Sequence, residues 1–391
     1  MSVSENSLLN DALINNFIIM KKNIFIACFL FFFVSCQHRK TESVRENVDM
    51  CINVDSLSQA KLKVKTLRYI PLEATEQSLI RNITKIVYVA HCYYIFDRIA
   101  KKIIVFSDTG KYLYSINKVG GGPGEYVEPV DMDVAPNGDI YVADNATKKI
   151  VKYSKDGLQF EEMKVGQYFL SFLLVDNSDF LLADIRSKGI LDIALAKYKA
   201  GSDNFSIIEP YEHAMKRMII RYTPHLFFRS ETISYYYARF TPFLYAIDKN
   251  GNLKRIKLIT DKLPTEEKLI EWENNKYGTF SPDGFICDVS ACYEADDYIL
   301  LVTISDFPLY TFVDRGNQKV CNFQSLGKDL NGHSGIKGVA NDFFVSYCEP
   351  SQKNLQRIID KSDLCEESRQ QFLKLNQEAN PILMLFNFKI Q

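Results

Sequence analysis

The chain has 391 residues, and its 47 Lys and Arg balance 48 Asp and Glu to a formal net charge of −1. No global field therefore gathers nucleic acid or anionic lipid, and nucleic acid is not an expected partner. Aromatic residues make up 13%, as 27 Phe and 22 Tyr against 1 Trp; this favours strands, and a closed repeat is the main way for one domain to reach such a length.

At the N-terminus, Lys21-Lys22 precede an apolar run, Ile24–Val34, followed by Ser35-Cys36. A basic stretch, a short apolar core and a small residue at the cleavage point predict a secretory signal. The run is too short for a bilayer, which needs ~20 apolar residues. Phe33-Val34-Ser35-Cys36 resembles a lipobox, in which the Cys becomes the acylated first residue of a mature lipoprotein. Lipidation is thus expected at Cys36, with the bilayer as a partner. Acidic Glu5 and Asp11 lie upstream of the basic pair, so residues 1–19 read as an extension before a start at Met20. The expected organisation is a signal at 20–35, a lipidated tether at 36–62 and a folded body at 63–391.

Beyond Cys28 and Cys36, seven cysteines remain and none forms a CxxC pair, which supports neither a zinc ribbon nor a thioredoxin-like site. They read as small buried apolar residues, with a Cys287–Cys292 bridge as the alternative.

Two segments align without a gap at an offset of 47 residues. Tyr94-Ile95-Phe96-Asp97 matches Tyr141-Val142-Ala143-Asp144, Lys101–Ile104 matches Lys148–Val151, and Gly110 matches Gly157. A repeat of this length made of strands and turns is the mark of propeller blades. In the second copy the strands A to D are expected at Val130–Val134, Asp139–Ala143, Lys149–Ser154 and Leu158–Met163, with Asn137-Gly138 and Asp156-Gly157 as hairpin turns. Further blades are expected at Leu170–Ile208, Leu226–Leu258 and Phe285–Phe323. The last, from about Ser334, lacks a fourth strand, which Lys63–Leu72 can supply beside Ile382–Phe388. The fold class is therefore all-β, a six-bladed propeller closed by strands from both ends, with short helical insertions on one face.

Arg68-Tyr69-Ile70-Pro71-Leu72-Glu73, Gly120-Gly121-Gly122-Pro123-Gly124-Glu125-Tyr126 and the lipobox together resemble the six-bladed β-propeller lipoproteins of gut Bacteroidota-type bacteria. NHL-repeat propellers are similar at greater distance. The resemblance implies the fold and an envelope location, and it implies no catalytic residue. Gln37-His38-Arg39-Lys40 lacks the acidic run that resembles a surface-export signal in such bacteria, so an outer-membrane anchor facing the periplasm is expected.

Strands alternate in direction, so D–A and B–C connections share one face and A–B and C–D turns the other. The long connections 119–129, 209–224, 260–284 and 347–381 all belong to the first face, where binding residues are expected. Residues just after strand B should ring the channel there: Asp97/Arg98, Asp144/Asn145, Asp184/Arg186, Arg239, Asp306 and Tyr347. Of these Arg98, Asn145, Arg186, Arg239, Asp306 and Tyr347, with Glu125 and Tyr126, are the candidate ligand contacts. The arginines suit a carboxylate, sulfate or phosphate. In the structural alternative the aspartates cap turns and the arginines pair with them.

The glycine segment is no phosphate loop, because Glu125 stands where Lys-Ser/Thr is needed and strands flank it. Tyr126 is expected to plug a tight D–A crossing. An EF-hand counted from Asp131 fails at Val142, so no cofactor is expected, although a calcium or other divalent ion held between blades would leave no trace in spacing. Histidines lack ligand spacing and no Gly-x-Ser-x-Gly elbow occurs. His225 reads as a satisfied structural imidazole, and Tyr235-Tyr236-Tyr237 with Phe240 as packing or a sugar-stacking surface. The expected function is a non-enzymatic envelope protein that binds a glycan, peptide or protein. The alternative is a metal-dependent lyase or lactonase-like hydrolase working in the channel.

Overall fold

A computed structural model describes residues 48–391 except 188, 203, 216–224, 275–280, 362–363 and 365. The signal, Cys36 and the first part of the tether lie outside the described residues. The chain opens with β1 (Met50–Asn53) and β2 (Leu62–Pro71), and then builds four-stranded antiparallel blades. Blade one is β3 (Lys85–Val89), β4 (Cys92–Asp97), β5 (Lys102–Ser107) and β6 (Tyr112–Ile116). Blade two is β7 (Pro129–Val134), β8 (Ile140–Asp144), β9 (Lys149–Tyr153) and β10 (Phe160–Lys164). Blade three comprises β11 (Ser171–Asp176), β12 (Asp179–Ser187), β13 (Ile190–Lys199) and β14 (Ser206–Met215). Blade four holds β15 (Phe227–Phe228), β16 (Ile233–Tyr237), β17 (Phe243–Asp248) and β18 (Leu253–Ile259). Blade five holds β19 (Asp288–Ala295), β20 (Tyr298–Ile304), β21 (Pro308–Asp314) and β22 (Val320–Phe323). Blade six takes β23 (Gly338–Ala340), β24 (Phe343–Cys348) and β25 (Ile382–Ile390), with β2 as its outer strand.

The ring closes as the sequence predicts. β2 pairs antiparallel with β25 from Leu62↔Ile390 to Pro71↔Ile382, so both termini share one sheet and leave no open seam. Phe386 and Phe388 face a core shared with Phe312 and Phe344, with Phe312 and Phe388 rings 5.0 Å apart edge to face. The 47-residue offset has a conformational cause. Lys101 and Lys148 both sit at φ 53, and Gly110 and Gly157 at φ 83 and 71, because each pair closes equivalent hairpins. A Cβ on Gly110 would lie 2.3 Å from the Pro71 carbonyl, so glycine also lets the blade-six edge approach.

Two stretches depart from expectation. Part of the segment read as tether is β1, which joins the outer edge of blade four parallel to β18, from Met50↔Ile256 to Asn53↔Ile259. Ile52 is fully buried there, and Asn322 of blade five holds the Asn53 and Ser56 carbonyls, so the segment belts the rim. Residues 209–215 were expected in a connection but belong to β14, because the long β13 continues the ladder as far as Leu191↔Met215. Residues 216–224 of that connection lie outside the described residues. The short helical insertions fall on the face of the long connections: α1 (Glu266–Asn274) between blades four and five, and α2 (Gln352–Lys361) with α3 (Glu366–Leu373) between β24 and β25.

Candidate functional site

The ends of the second strands form a ring on the face that carries the long connections. Two of its aspartates are spent on the fold. Asp97 is buried and accepts N–H bonds from Arg81 (2.6 Å) and Ala100 (2.8 Å). Asp144, at the equivalent place, accepts from the Glu128 N–H at 2.6 Å and from the Thr147 hydroxyl. Both tie the B–C loop to the preceding inner strand, which is the structural reading of these positions.

The next positions behave differently. Asn145 is 4% exposed; its Oδ1 accepts from Phe169 N–H at 3.3 Å, and its Nδ2 has no partner. Beside it Tyr168 stacks under the Arg186 guanidinium at 5.1 Å, and the buried Arg186 Nε is unpartnered too. A bulge between Ile185 and Arg186 and a left-handed Asp184 (φ 54) re-aim this end of β12. Asp184 accepts from the Tyr211 hydroxyl and from one nitrogen of Arg239. Arg239 is 1% exposed, and its Nε and Nη1 make no hydrogen bond. Asn145, Arg186 and Arg239 thus each keep unused donors at the ends of the second strands of three consecutive blades. Guanidinium and amide donors of this kind can hold an oxyanion.

Other candidates sit elsewhere. Arg98 is half-buried on blade one, with its backbone N–H on Thr84 at 3.4 Å. Asp306 is exposed after β20. Tyr347 packs into the core between blades six and one, which takes its ring out of the channel. Glu125 and Tyr126 lie in the connection between β6 and β7, and the fold engages both. Glu125 closes the glycine turn by accepting from Gly122 N–H at 2.7 Å. Tyr126 is fully buried and donates to the Lys101 and Ile116 carbonyls at 2.9 and 3.1 Å, as the plug reading requires. Gly124 (φ 71) lies against Phe160 of β10, where a Cβ would come within 2.6 Å of the ring. The triple tyrosine is also internal: Tyr236 donates to the Ala194 carbonyl at 2.6 Å and Tyr235 to Glu294 at 2.5 Å, leaving no sugar-stacking surface.

Two ion pairs inside the channel were not foreseen. Lys85 Nζ, 2% exposed, meets Asp131 at 2.9 Å and the Met132 carbonyl at 2.8 Å. Asp131 also accepts from Ser171 and from Phe172 N–H, and Asp133 accepts from Leu174 N–H at 2.9 Å. These two carboxylates satisfy the open inner edge of β11, and each then needs a cation: Lys85 for Asp131, and Arg229 at 2.7 Å for Asp133. Burial pushes the Asp131 carboxyl up while Lys85 pulls against it. His225 departs from its satisfied reading. It is 2% exposed, neither ring nitrogen has a partner, and burial with the nearby Lys85 and Lys337 charges holds it well below the usual histidine range.

The model of a family described as a domain of unknown function, DUF4934, matches residues 46–387. The chain belongs to that family. Its fold is similar to a protein described as exported from Bacteroides fragilis NCTC 9343, at 15% identity and a TM-score of 0.66, over 87% of this chain and 100% of that one. A member of the DUF4221 family from Bacteroides vulgatus ATCC 8482 matches at 10% identity and 0.51, over 85% and 98%. A virginiamycin B lyase from Staphylococcus aureus reaches 12% identity and 0.41, over 72% and 82%, a level that carries no argument. Identities this low establish the shared fold alone. No curated protein matches the chain.

Nothing in the family's description adds chemistry to the ring, so its own groups decide what it can do. Among the described residues no group of three or more His, Cys, Asp or Glu is placed to hold a metal. Burial pushes the Cys287 thiol up to about 12 and the Cys348 thiol up to about 11, so neither offers a thiolate at neutral pH. Cys287 and Cys292 are both free and buried. Around Arg229 the face of short turns holds two adjoining cavities, of about 360 and about 290 Å³, which share Pro136 and Arg229–Glu231.

Proposed function

We propose that this protein is a lipid-anchored, non-enzymatic binding protein of the bacterial envelope. It holds an acidic ligand on the face of long connections: a sulfated or carboxylated glycan, or an acidic segment of a peptide or protein. The observation that carries this reading is the run of unused donors at one ring position of blades two, three and four, on Asn145, Arg186 and Arg239. A buried donor left unsatisfied costs about 1–3 kcal/mol, and an acidic ligand on this face would supply the acceptors these donors lack. The charge they meet is incompletely balanced, because Asp184 engages one nitrogen of Arg239 and no carboxylate engages Arg186 among the described residues.

Envelope location rests on the n-region, apolar core and Cys36 of the sequence, and it agrees with the exported description of the Bacteroides fragilis relative. No helix among the described residues is long and apolar enough to cross a membrane. A hydrolytic reading would call on channel carboxylates, and the buried ones described above are engaged: Asp97 and Asp144 with loop N–H groups, Asp131 and Asp133 with cations, and Asp184 with Arg239 and Tyr211.

The test is a thermal-shift screen of the mature chain against sulfated, uronic-acid and neutral glycans and acidic peptides, repeated with Arg186→Ala. The expected result is stabilisation by acidic members that the variant loses. Stabilisation by neutral glycans alone, or an acidic response that Arg186→Ala leaves intact, would refute it.

A further inference from the structure

We infer that the opposite, short-turn face carries a second binding site, a two-lobed cleft that takes a small zwitterion: an apolar amino acid or a short peptide with free amine and carboxylate. The cleft lies where one inner strand, β15, is curtailed. β15 has 2 residues and pairs only as far as Phe228↔Tyr235, whereas β7 has 6 and β19 has 8. Blade four therefore leaves the short-turn end of the channel unfilled. Arg229, the residue after β15, crosses that space to Asp133 and divides it. One lobe of about 360 Å³ is walled by Ile86, Val87, Val89 and Val339. The other, of about 290 Å³, is lined by Leu173, Val175 and Ile247 together with Asp176, Asp248 and Lys249. Volumes near 300 Å³ lie at the small end of ligand sites, the size of an amino acid or dipeptide.

The charges at the dividing turn define the ligand class. Arg229 uses Nη1 on Asp133, and its other nitrogens have no hydrogen bond among the described residues. Glu231, two residues on and exposed, has neither hydrogen bond nor ion pair among them. One turn thus presents a cation and a carboxylate to the same space, each with open bonding capacity and not paired to each other. A ligand carboxylate on Arg229 and an ammonium on Glu231 complete both, and the aliphatic walls accept an apolar side chain. Ser230 lies between them in the lining of both lobes.

The experiment is calorimetric titration of the intact protein with leucyl-leucine, N-acetyl-leucyl-leucine and leucyl-leucine amide. Leucyl-leucine is expected to bind, and each blocked form to bind at least tenfold more weakly. Glu231→Gln should weaken the free dipeptide by the same factor and leave the acetylated form unchanged, since the amine contact is already gone. Glu231 is exposed, so the variant's unchanged melting temperature certifies its fold. Retained dipeptide binding in Arg186→Ala separates this cleft from the ring on the other face. Absence of leucyl-leucine binding at millimolar concentration, or binding indifferent to both blocking groups and to Glu231→Gln, would overturn the inference.

Discussion

The two faces of the propeller are elaborated by opposite means. One receives the long connections, the helices and a ring of tightly packed polar side chains. The other has turns of a few residues, several of them in left-handed conformations such as Ala90, His91 and Asn341, yet it holds the two cavities around Arg229. Loop length marks where the chain has material to spend, whereas open volume here marks where one strand, β15, stops early. The channel between them shows the same contrast. The Lys85–Asp131 bar at the long-connection end is sealed, with side chains 2% and 0% exposed, while Arg229 of the Arg229–Asp133 bar is 20% exposed.

That contrast ranks the expected effects. Lys85→Met strands a fully buried carboxylate and should cost about 3–5 kcal/mol in denaturant unfolding. Arg229→Met should cost less, about 1–3 kcal/mol, because water can reach the space it vacates and Asp133 keeps two N–H bonds. The reverse order would break the distinction between a sealed and an open end.

Acid stability sharpens it further. The folded-state pKa of His225 is depressed, so below about pH 6.5 the unfolded chain takes up a proton that the folded protein refuses. Stability should fall with decreasing pH by up to about 1.4 kcal/mol per unit until the folded pKa is reached. His333, also lowered by burial, adds a slope of the same sign, so the difference between wild type and His225→Phe isolates His225. Equal slopes would place His225 in contact with solvent or a partner.

On ligand binding, Arg186→Ala should weaken the acidic ligand of the long-connection face by about tenfold, the scale of one charge-assisted contact. Arg98→Ala should have a smaller effect, about twofold to fivefold, the scale of a more exposed charge. Equal effects would make the site a diffuse basic rim in place of a built cluster.

Much of this architecture was legible in the residues themselves. Hairpins repeat because Lys101/Lys148 and Gly110/Gly157 must adopt positive φ, and closure followed from one strand left over at each end. The ring position after strand B was legible for the same reason. Which of its residues are consumed by caps was not, since that depends on which backbone N–H groups of other segments reach them, such as Arg81 at Asp97 and Glu128 at Asp144. The channel bars were hidden by distance: Lys85 lies 46 residues from Asp131, and Arg229 lies 96 from Asp133. Two carboxylates at alternate positions of an inner strand, Asp131 and Asp133, were the available signal that cations must arrive from other blades. The cleft was hidden because strand shortness at β15 comes from packing, and Phe227-Phe228 reads like any other apolar run.

Hydrogen exchange of the mature protein, with and without the acidic ligand found in the glycan and peptide screen, tests the central claim most directly. The account predicts slowed exchange at 143–148, 184–187 and 238–242, the three segments of the long-connection face. Protection confined to 88–91, 136–138 and 339–341 would contradict it and move the ligand to the other side of the ring.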